Sequence, residues 1–224
     1  MERSDCRRFD RGRQLIRVLI ADDHGIVRKG MKQILSRTPD IEVVSEASTG
    51  QEALDKIWAN NFDVVILDIS LPGRNGLEIL KQIKTQRPKL PVLILSMYPE
   101  EQYAVRVLRA GASGYLTKES DKNELIDAIR RVAQGKKYIT PSLAEKLASE
   151  LEPSISKALH EKLSDREYHI LCLIAKGKSS NEIADELALS IKTVSTHRAR
   201  VLEKMGMKSN AELTHYAVQN KLVE

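Results

Sequence analysis

From Ile16 to about Gly135 short β-rich runs alternate with amphipathic helical stretches five times over, and beyond Ser164 the strand signal stops. This change of rhythm constrains the fold more than any other feature of the chain. Strands that alternate with helices are joined by right-handed crossovers, which requires a parallel sheet wound on both faces by helices. Strand candidates are Ile16–Asp23, Ile41–Glu46, Val64–Asp68, Val92–Ser96 and Gly114–Leu116, several of them almost wholly apolar, as strands covered on both faces should be. Helix candidates lie at Gly25–Arg37, Gln51–Asn60, Leu77–Gln86, Glu101–Arg109 and Lys122–Gln134, punctuated by Gly or Pro. The segments share a period and not residue identity, which argues against a solenoid.

The rest of the chain divides around this unit into an extension (1–15), a linker (136–162) and a second domain (163–224). The linker is interrupted by Pro141 and Pro153 and holds one short helix candidate, Leu143–Leu151. The second domain has only helical patterns: Asp165–Lys176, Asn181–Leu187, Lys192–Met205 and Asn210–Gln219. Gly177 and Gly206 stand where C-caps belong, and Ser164, Ser180, Ser190 and Ser209 or Asn210 where N-caps belong. No apolar run approaches the roughly 18 residues of a spanning helix, and Arg-rich residues 1–14 lead into no signal-peptide core. A cytoplasmic protein with no membrane partner is expected. Cys6 and Cys172 are far apart in unlike settings and read as free thiols, not as a disulfide or a zinc site.

The chemistry concentrates at the carboxyl ends of the strands, where open parallel sheets place their sites. Asp22 and Asp23 close the first strand and Asp68 the third. With strand order 2-1-3-4-5 these two strands are neighbours at the reversal of winding, so three carboxylates meet in one crevice. Like charges so close would raise at least one pKa unless a cation joins them. A hard divalent ion with oxygen ligands, Mg²⁺ above all, is the economical solution. Ser96 at the end of the fourth strand and Lys118 just past the fifth reach the same crevice. A carboxylate nucleophile, a cation, a hydroxyl and an ammonium suit an incoming phosphoryl group, with Asp68 attacking and the others neutralising its oxygens. A Mg²⁺-dependent phosphohydrolase is the rival from another class, but it needs a second carboxylate two residues after Asp68, where this chain has Ser70.

Residues 16 to about 135 resemble the receiver domains of two-component response regulators. The resemblance rests on Leu-Ile-Ala-Asp-Asp-His at 19–24, Val-Val-Ile-Leu-Asp-Ile-Ser-Leu-Pro-Gly-Arg-Asn-Gly at 64–76, Ile-Leu-Ser at 94–96 and Gly-Ala-Ser-Gly-Tyr-Leu-Thr-Lys at 111–118. It implies a flavodoxin-like (βα)5 fold in which Asp68 accepts phosphate from a sensor histidine kinase. It further implies that Asp23, Asp68 and the Ser70 carbonyl bind Mg²⁺, with Asp22 assisting through water. Ser96 and Lys118 would contact the phosphoryl oxygens, and Tyr115 would reorient with Ser96. Such a protein is no conventional enzyme, although the receiver would catalyse its own phosphorylation and dephosphorylation. Glu119 stands where many receivers carry a cis proline, so a trans bond is expected here.

The net charge of +5 splits into +2 over residues 1–14, +3 over 15–138 and zero over 139–224, so overall basicity points to no partner. The signal is local: residues 191–208 carry five basic residues and one acidic. On a helical wheel Ile191, Val194, Val201, Leu202 and Met205 form a core-facing arc of about 100°. The opposite arc centres on small residues and is flanked by basic ones, as suits a helix entering a major groove of double-stranded DNA. Asn181–Leu187, a turn at Ala188–Ser190 and this helix have helix-turn-helix dimensions. A pure interaction module that binds protein is the alternative for this domain. Residues 163–218 look like the LuxR-type helix-turn-helix, through Leu-Ser-Asp-Arg-Glu at 163–167, Ala-Lys-Gly-Lys-Ser-Ser-Asn-Glu-Ile-Ala at 175–184 and Lys-Thr-Val-Ser-Thr-His-Arg-Ala-Arg-Val-Leu-Glu-Lys-Met at 192–205.

Together the two domains are similar to NarL/FixJ-type transcription regulators. This implies base contacts from Ser195, Thr196 and Ala199, and phosphate contacts from Lys192, Thr193, His197, Arg200 and Lys204. Arg198 falls in the apolar arc, so its head should find a carboxylate, with Glu167 the candidate. Leu213, Tyr216, Ala217 and Val218 on the last helix are either core or a two-fold contact in an active homodimer, and RNA polymerase is a further expected partner. Docking of the two domains is expected to weaken DNA binding until Asp68 is phosphorylated.

Overall fold

The computed structural model describes residues 15–72, 75–149, 158–220 and 222–223. The extension at 1–14, with Cys6, and Pro153 of the linker lie outside them. Strands β1 (Ile16–Ala21), β2 (Ile41–Ala47), β3 (Val64–Asp68), β4 (Val92–Ser96) and β5 (Gly114–Thr117) form one parallel sheet of order β2-β1-β3-β4-β5. Helices α1 (Gly25–Leu35), α2 (Gly50–Ala59), α3 (Gly76–Gln86), α4 (Glu100–Arg109) and α5 (Lys122–Ala133) wind around it. The α/β expectation therefore holds, including the strand order. β1 stops at Ala21, two residues earlier than its sequence pattern suggested, which leaves Asp22 and Asp23 in the loop.

Successive side chains of a strand face opposite ways, and the core is accordingly two layers. Val18, Ile20, Val64, Ile66, Leu93, Leu95 and Leu116 pack with residues of α1 and α5 on one face. Leu19, Ala21, Val65, Leu67, Val92, Ile94 and Tyr115 pack with α2, α3 and α4 on the other. That second layer does not end at the domain edge, because Tyr98 and Tyr103 continue it into Leu163, Tyr168 and the helical domain. Gly76, the first residue of α3, lets this helix start directly beneath the end of β3. A Cβ there would lie 2.3 Å from the Asp68 carbonyl oxygen and 2.7 Å from Ile69 Cα. Asn75 caps the same turn by accepting from the Leu77 N–H at 2.9 Å.

The linker helix α6 (Pro141–Ser149) begins earlier than expected and packs on α4. A 3₁₀ turn at Leu159–Lys162, which no sequence signal announced, leads into α7 (Asp165–Ala175), α8 (Ser180–Glu186), α9 (Ile191–Met205) and α10 (Asn210–Gln219). Ser164, Ser190 and Ser209 cap as anticipated, but α8 is capped by Ser179 and not Ser180. The reason is a capping box: the Ser179 hydroxyl accepts from the Glu182 N–H while the Glu182 carboxylate accepts from the Ser179 N–H. Between α8 and α9, Ala188 adopts φ +50°, a left-handed conformation that strains a residue with a Cβ.

The helical domain docks on the receiver-like domain through α7 and α8. Asp165 accepts from Lys81 of α3 at 2.6 Å and from Arg106 of α4 at 2.9 Å, and the Arg106 guanidinium lies 4.7 Å over the Tyr168 ring. The Tyr168 hydroxyl donates to the Gln102 carbonyl at 2.7 Å, and Arg109 pairs with Glu161 at 3.1 Å. Within the domain Glu167 is buried against Lys204 of α9 at 2.7 Å. Arg198, expected to reach Glu167, donates instead to Asn210 Oδ1 at 2.6 Å. Lys204, one turn nearer the helix C-terminus than Arg200, takes the carboxylate, and Asn210 at the start of α10 lies within reach of Arg198.

Two expectations follow from this packing. Gly76→Ala should destabilise the protein by about 1–3 kcal/mol, because backbone atoms must move to admit the methyl group; urea unfolding measures this. Burial pushes the Glu167 carboxyl up, but Lys204 and the Ser164 cap outweigh it and hold the group below its ordinary 4.5. A lowered carboxylate contributes stability above its unfolded pKa and loses it as the pH falls through the folded value. Lys204→Ala should therefore cost about 1 kcal/mol near neutrality, and unfolding curves taken in acid should show the difference from the wild type disappearing.

Candidate functional site

The loops after β1, β3, β4 and β5 meet at one end of the sheet. Asp22 and Asp68 are each only 1% exposed there, and Asp23 stands at the rim. Carboxylate oxygens of Asp22, Asp23 and Asp68, with a ring nitrogen of His24, all lie within 4.8 Å of one another. Lys118 Nζ reaches Asp68 Oδ2 and Asp22 Oδ2, both at 2.7 Å. Asp68 Oδ1 accepts from the Ser70 N–H at 3.0 Å. His24 Nδ1 sits 2.8 Å from Asp23 and 3.3 Å from Asp22, and Arg28 donates to the Asp22 carbonyl at 2.6 Å.

The electrostatics follow from this geometry. Burial pushes the Asp68 carboxyl up from its ordinary value, and the Lys118 charge only partly reverses this. Burial alone would lower Lys118, yet Asp68 and Asp22 hold its ammonium above the usual lysine value. Two buried carboxylates therefore share one ammonium with a third carboxylate at the rim, which leaves acidic groups in excess of the lysine charge. Hard oxygen donors in excess of positive charge are the donor set that a divalent cation takes, so these residues fit such an ion.

Ser96 and Tyr115 join the crevice to the surface facing the helical domain. The buried Ser96 hydroxyl oxygen accepts from the Tyr98 N–H at 3.1 Å, and the Tyr115 hydroxyl donates to the Tyr98 carbonyl at 2.7 Å. Tyr115 lies on edge strand β5 but is buried and hydrogen-bonded, unlike an idle edge aromatic. No cis peptide bond occurs among the described residues, the bond between Lys118 and Glu119 included.

The second cluster is the outward face of α9. Val194, Val201 and Met205 are buried as the wheel anticipated, whereas Ile191 is half exposed. Lys192, Ser195, Thr196, Ala199, Arg200 and Lys204 are exposed and Thr193 half-buried. The Thr196 hydroxyl donates back to the Lys192 carbonyl at 2.9 Å. His197 turns partly inward, where burial and then the Arg166 charge lower its pKa. The docked receiver-like domain leaves Ser195, Thr196 and Ala199 exposed, so docking does not cover this face. On α10, Leu213 and Ala217 are core, Tyr216 is held by His160 Nδ1 at 2.9 Å, and Val218 remains exposed.

Sequence reasoning missed two groups. His24 was read as part of the 19–24 motif but not placed in the crevice, although it follows the two aspartates directly. Tyr98 carried no motif, since its role depends on residues about 70 positions away.

Residues 18–130 match the response regulator receiver domain family, and residues 161–217 match the LuxR family of bacterial regulatory proteins. Response regulator UvrY of Escherichia coli O6:H1 is 39% identical over 209 residues, covering 93% of this chain and 96% of that protein. Oxygen regulatory protein NreC of Staphylococcus epidermidis is 41% identical over 217 residues, covering 93% and 100%. Among solved structures, RcsB from Salmonella enterica serovar Typhimurium, bound to promoter rprA in the presence of phosphomimetic BeF3-, aligns over 91% of this chain and 98% of that one. Its TM-score is 0.63 at 27% identity. The chain belongs to the response regulators of two-component systems that pair a receiver domain with a LuxR-type, helix-turn-helix DNA-binding domain.

Proposed function

We propose that this protein is a cytoplasmic transcription regulator whose homodimerisation and sequence-specific DNA binding are controlled by phosphorylation of Asp68 by a sensor histidine kinase. The observation that carries the reading is the pairing, in one chain, of a crevice of three carboxylates, two of them buried against Lys118, with a helix whose small outward residues stay exposed between basic flanks. Residues 16–135 act as the receiver, 136–162 as the linker and 163–224 as the DNA-binding domain.

A carboxylate oxygen of Asp68 attacks the phosphorus as the phosphohistidine nitrogen of the kinase leaves. Asp22, Asp23, Asp68 and the Ser70 carbonyl would hold Mg²⁺, which when bound neutralises charge on the phosphoryl oxygens. Lys118 moves its ammonium from the bare carboxylates to the new anion, and the Ser96 hydroxyl donates to another phosphoryl oxygen. The same groups serve hydrolysis, in which water attacks phosphorus and Asp68 leaves, so the receiver is its own catalyst in both directions.

At the output end, Ser195, Thr196 and Ala199 read base edges while Lys192, Thr193, His197, Arg200 and Lys204 meet phosphates. The pairing of Lys204 with Glu167 means that its ammonium is shared with or surrendered to the DNA backbone. Since docking leaves the reading residues exposed, control falls on assembly of the two-fold dimer rather than on covering α9. A structure of two RcsB dimers bound to two parallel DNAs supports that assembly, and Val218 of α10 is an exposed apolar residue for it. RNA polymerase is the partner through which a DNA-bound dimer would act.

Asp68→Asn should abolish phosphate uptake from a small acyl phosphate with Mg²⁺ present, and a labelled mutant protein would overturn the assignment. Arg200→Ala should weaken binding to all duplexes alike and flatten the salt slope by about one unit, whereas Thr196→Ala should change site preference; gel shifts at several salt concentrations separate the two.

A further inference from the structure

Tyr98 occupies an unusual position between the two sites. Its main chain belongs to the receiver's switch: the N–H donates to Ser96 Oγ at 3.1 Å and the carbonyl accepts from the Tyr115 hydroxyl at 2.7 Å. Its side chain belongs to the docking surface. The buried hydroxyl lies 2.7 Å from His169 Nε2 of α7 and 3.0 Å from Glu186 Oε1 at the end of α8, and Lys176 Nζ lies 4.9 Å over the ring. The Glu186 carboxylate only accepts, so the single Tyr98 proton goes to it. The tyrosine oxygen then accepts from His169, which must be the neutral tautomer protonated on Nε2. His169 Nδ1 is accordingly a buried acceptor with no hydrogen-bond partner among the described residues. This arrangement is satisfied only while the ring and both helices keep their places.

We propose that Tyr98 is the positioning residue through which the acidic crevice and the DNA-binding domain sense each other, so that occupancy of Asp68 and release of α7 and α8 are two sides of one equilibrium. The inference rests on the reading of Asp68 as the phosphoryl site and adds the physical route from it. A phosphoryl group draws the Ser96 hydroxyl toward itself and away from the Tyr98 N–H. Tyr115, bonded to the Tyr98 carbonyl, moves with the loop. The ring then carries its hydroxyl out of line with His169 and Glu186; Glu186 is exposed and keeps Lys178, but the buried His169, deprived of its partner, favours undocking into water. Because coupling free energies are reciprocal, loosening the docked helices must in turn favour ligands of the crevice.

Tyr98→Phe keeps the ring and both main-chain bonds and deletes only the hydroxyl. Tyr103→Phe is the matched control: its ring lies 5.0 Å from that of Tyr98 in the same interface, and its hydroxyl has no hydrogen-bond partner among the described residues. The full chain is titrated with beryllium fluoride, a phosphoryl mimic, in Mg²⁺, and the radius of gyration is followed by small-angle X-ray scattering. The wild type should expand on binding. Tyr98→Phe should be expanded before any mimic is added and should bind it roughly tenfold more tightly, the factor an ordinary buried hydrogen bond supplies. Tyr103→Phe should behave as the wild type. Tyr98→Phe that stays compact with wild-type affinity overturns the coupling, as does an equal effect of Tyr103→Phe. Failure of every variant and of the wild type to bind the mimic would overturn the assignment of the Asp68 site itself.

Discussion

Two buried carboxylates bridged by one lysine, with a third at the rim, are the arrangement on which the rest of this protein turns. Asp22 and Asp23 follow β1 and Asp68 ends the adjacent β3, and their mutual repulsion would open the crevice were Lys118 not fixed 2.7 Å from two of them. The parallel sheet supplies the constraint, since β3 lies between β1 and β4 and delivers Asp68 into the middle of the cluster. Gly76 adds to it by allowing α3 to start against the Asp68 backbone. A site under such electrostatic tension responds strongly to any group that changes its charge, as a switch requires.

The docking surface is the second determinant. It is an extension of the receiver's own apolar layer, edged by charge pairs, and not a separate hydrophobic patch. Asp165 is only 8% exposed and is matched by two cations from different helices. A buried pair of this kind contributes specificity of fit more surely than stability, because desolvation offsets much of the attraction. An interface held by apolar contact and a few directional polar bonds can be released when one such bond is misplaced. It also leaves the outward face of α9 uncovered, so the two domains communicate through geometry and not through blockage.

Much of the fold was legible in the sequence because it is local. Apolar alternation, the period of the helices and the serine caps depend on neighbours within a few residues, and the strand order was the premise under which the acidic strand ends meet, as the receiver resemblance also implies. Asp22, Asp23, Asp68, Ser96 and Lys118 could be placed together because each ends a strand or follows one within two residues. Failures came where several residues compete for one partner. Ser179 displaced Ser180 as a cap because only it closes a reciprocal pair with Glu182. Lys204 took the carboxylate expected for Arg198, whereas Leu213 and Ala217 took the core alternative that the sequence had left open.

By itself the sequence determined the two kinds of domain, the order of the sheet, the membership of the acidic crevice and the basic-flanked helix. The domains and the helix follow from periodicity, the crevice from residue types at the ends of elements, and the order of the sheet from the resemblance that its motifs carry. Only the tertiary structure decided that α7 and α8 form the docking surface while α9 looks outward, that Tyr98 stands between Ser96 and His169, and that Lys204 is shared with Glu167. Such contacts join side chains dozens of residues apart, and their partners are chosen by the packing of whole helices, for which a linear pattern has no signal.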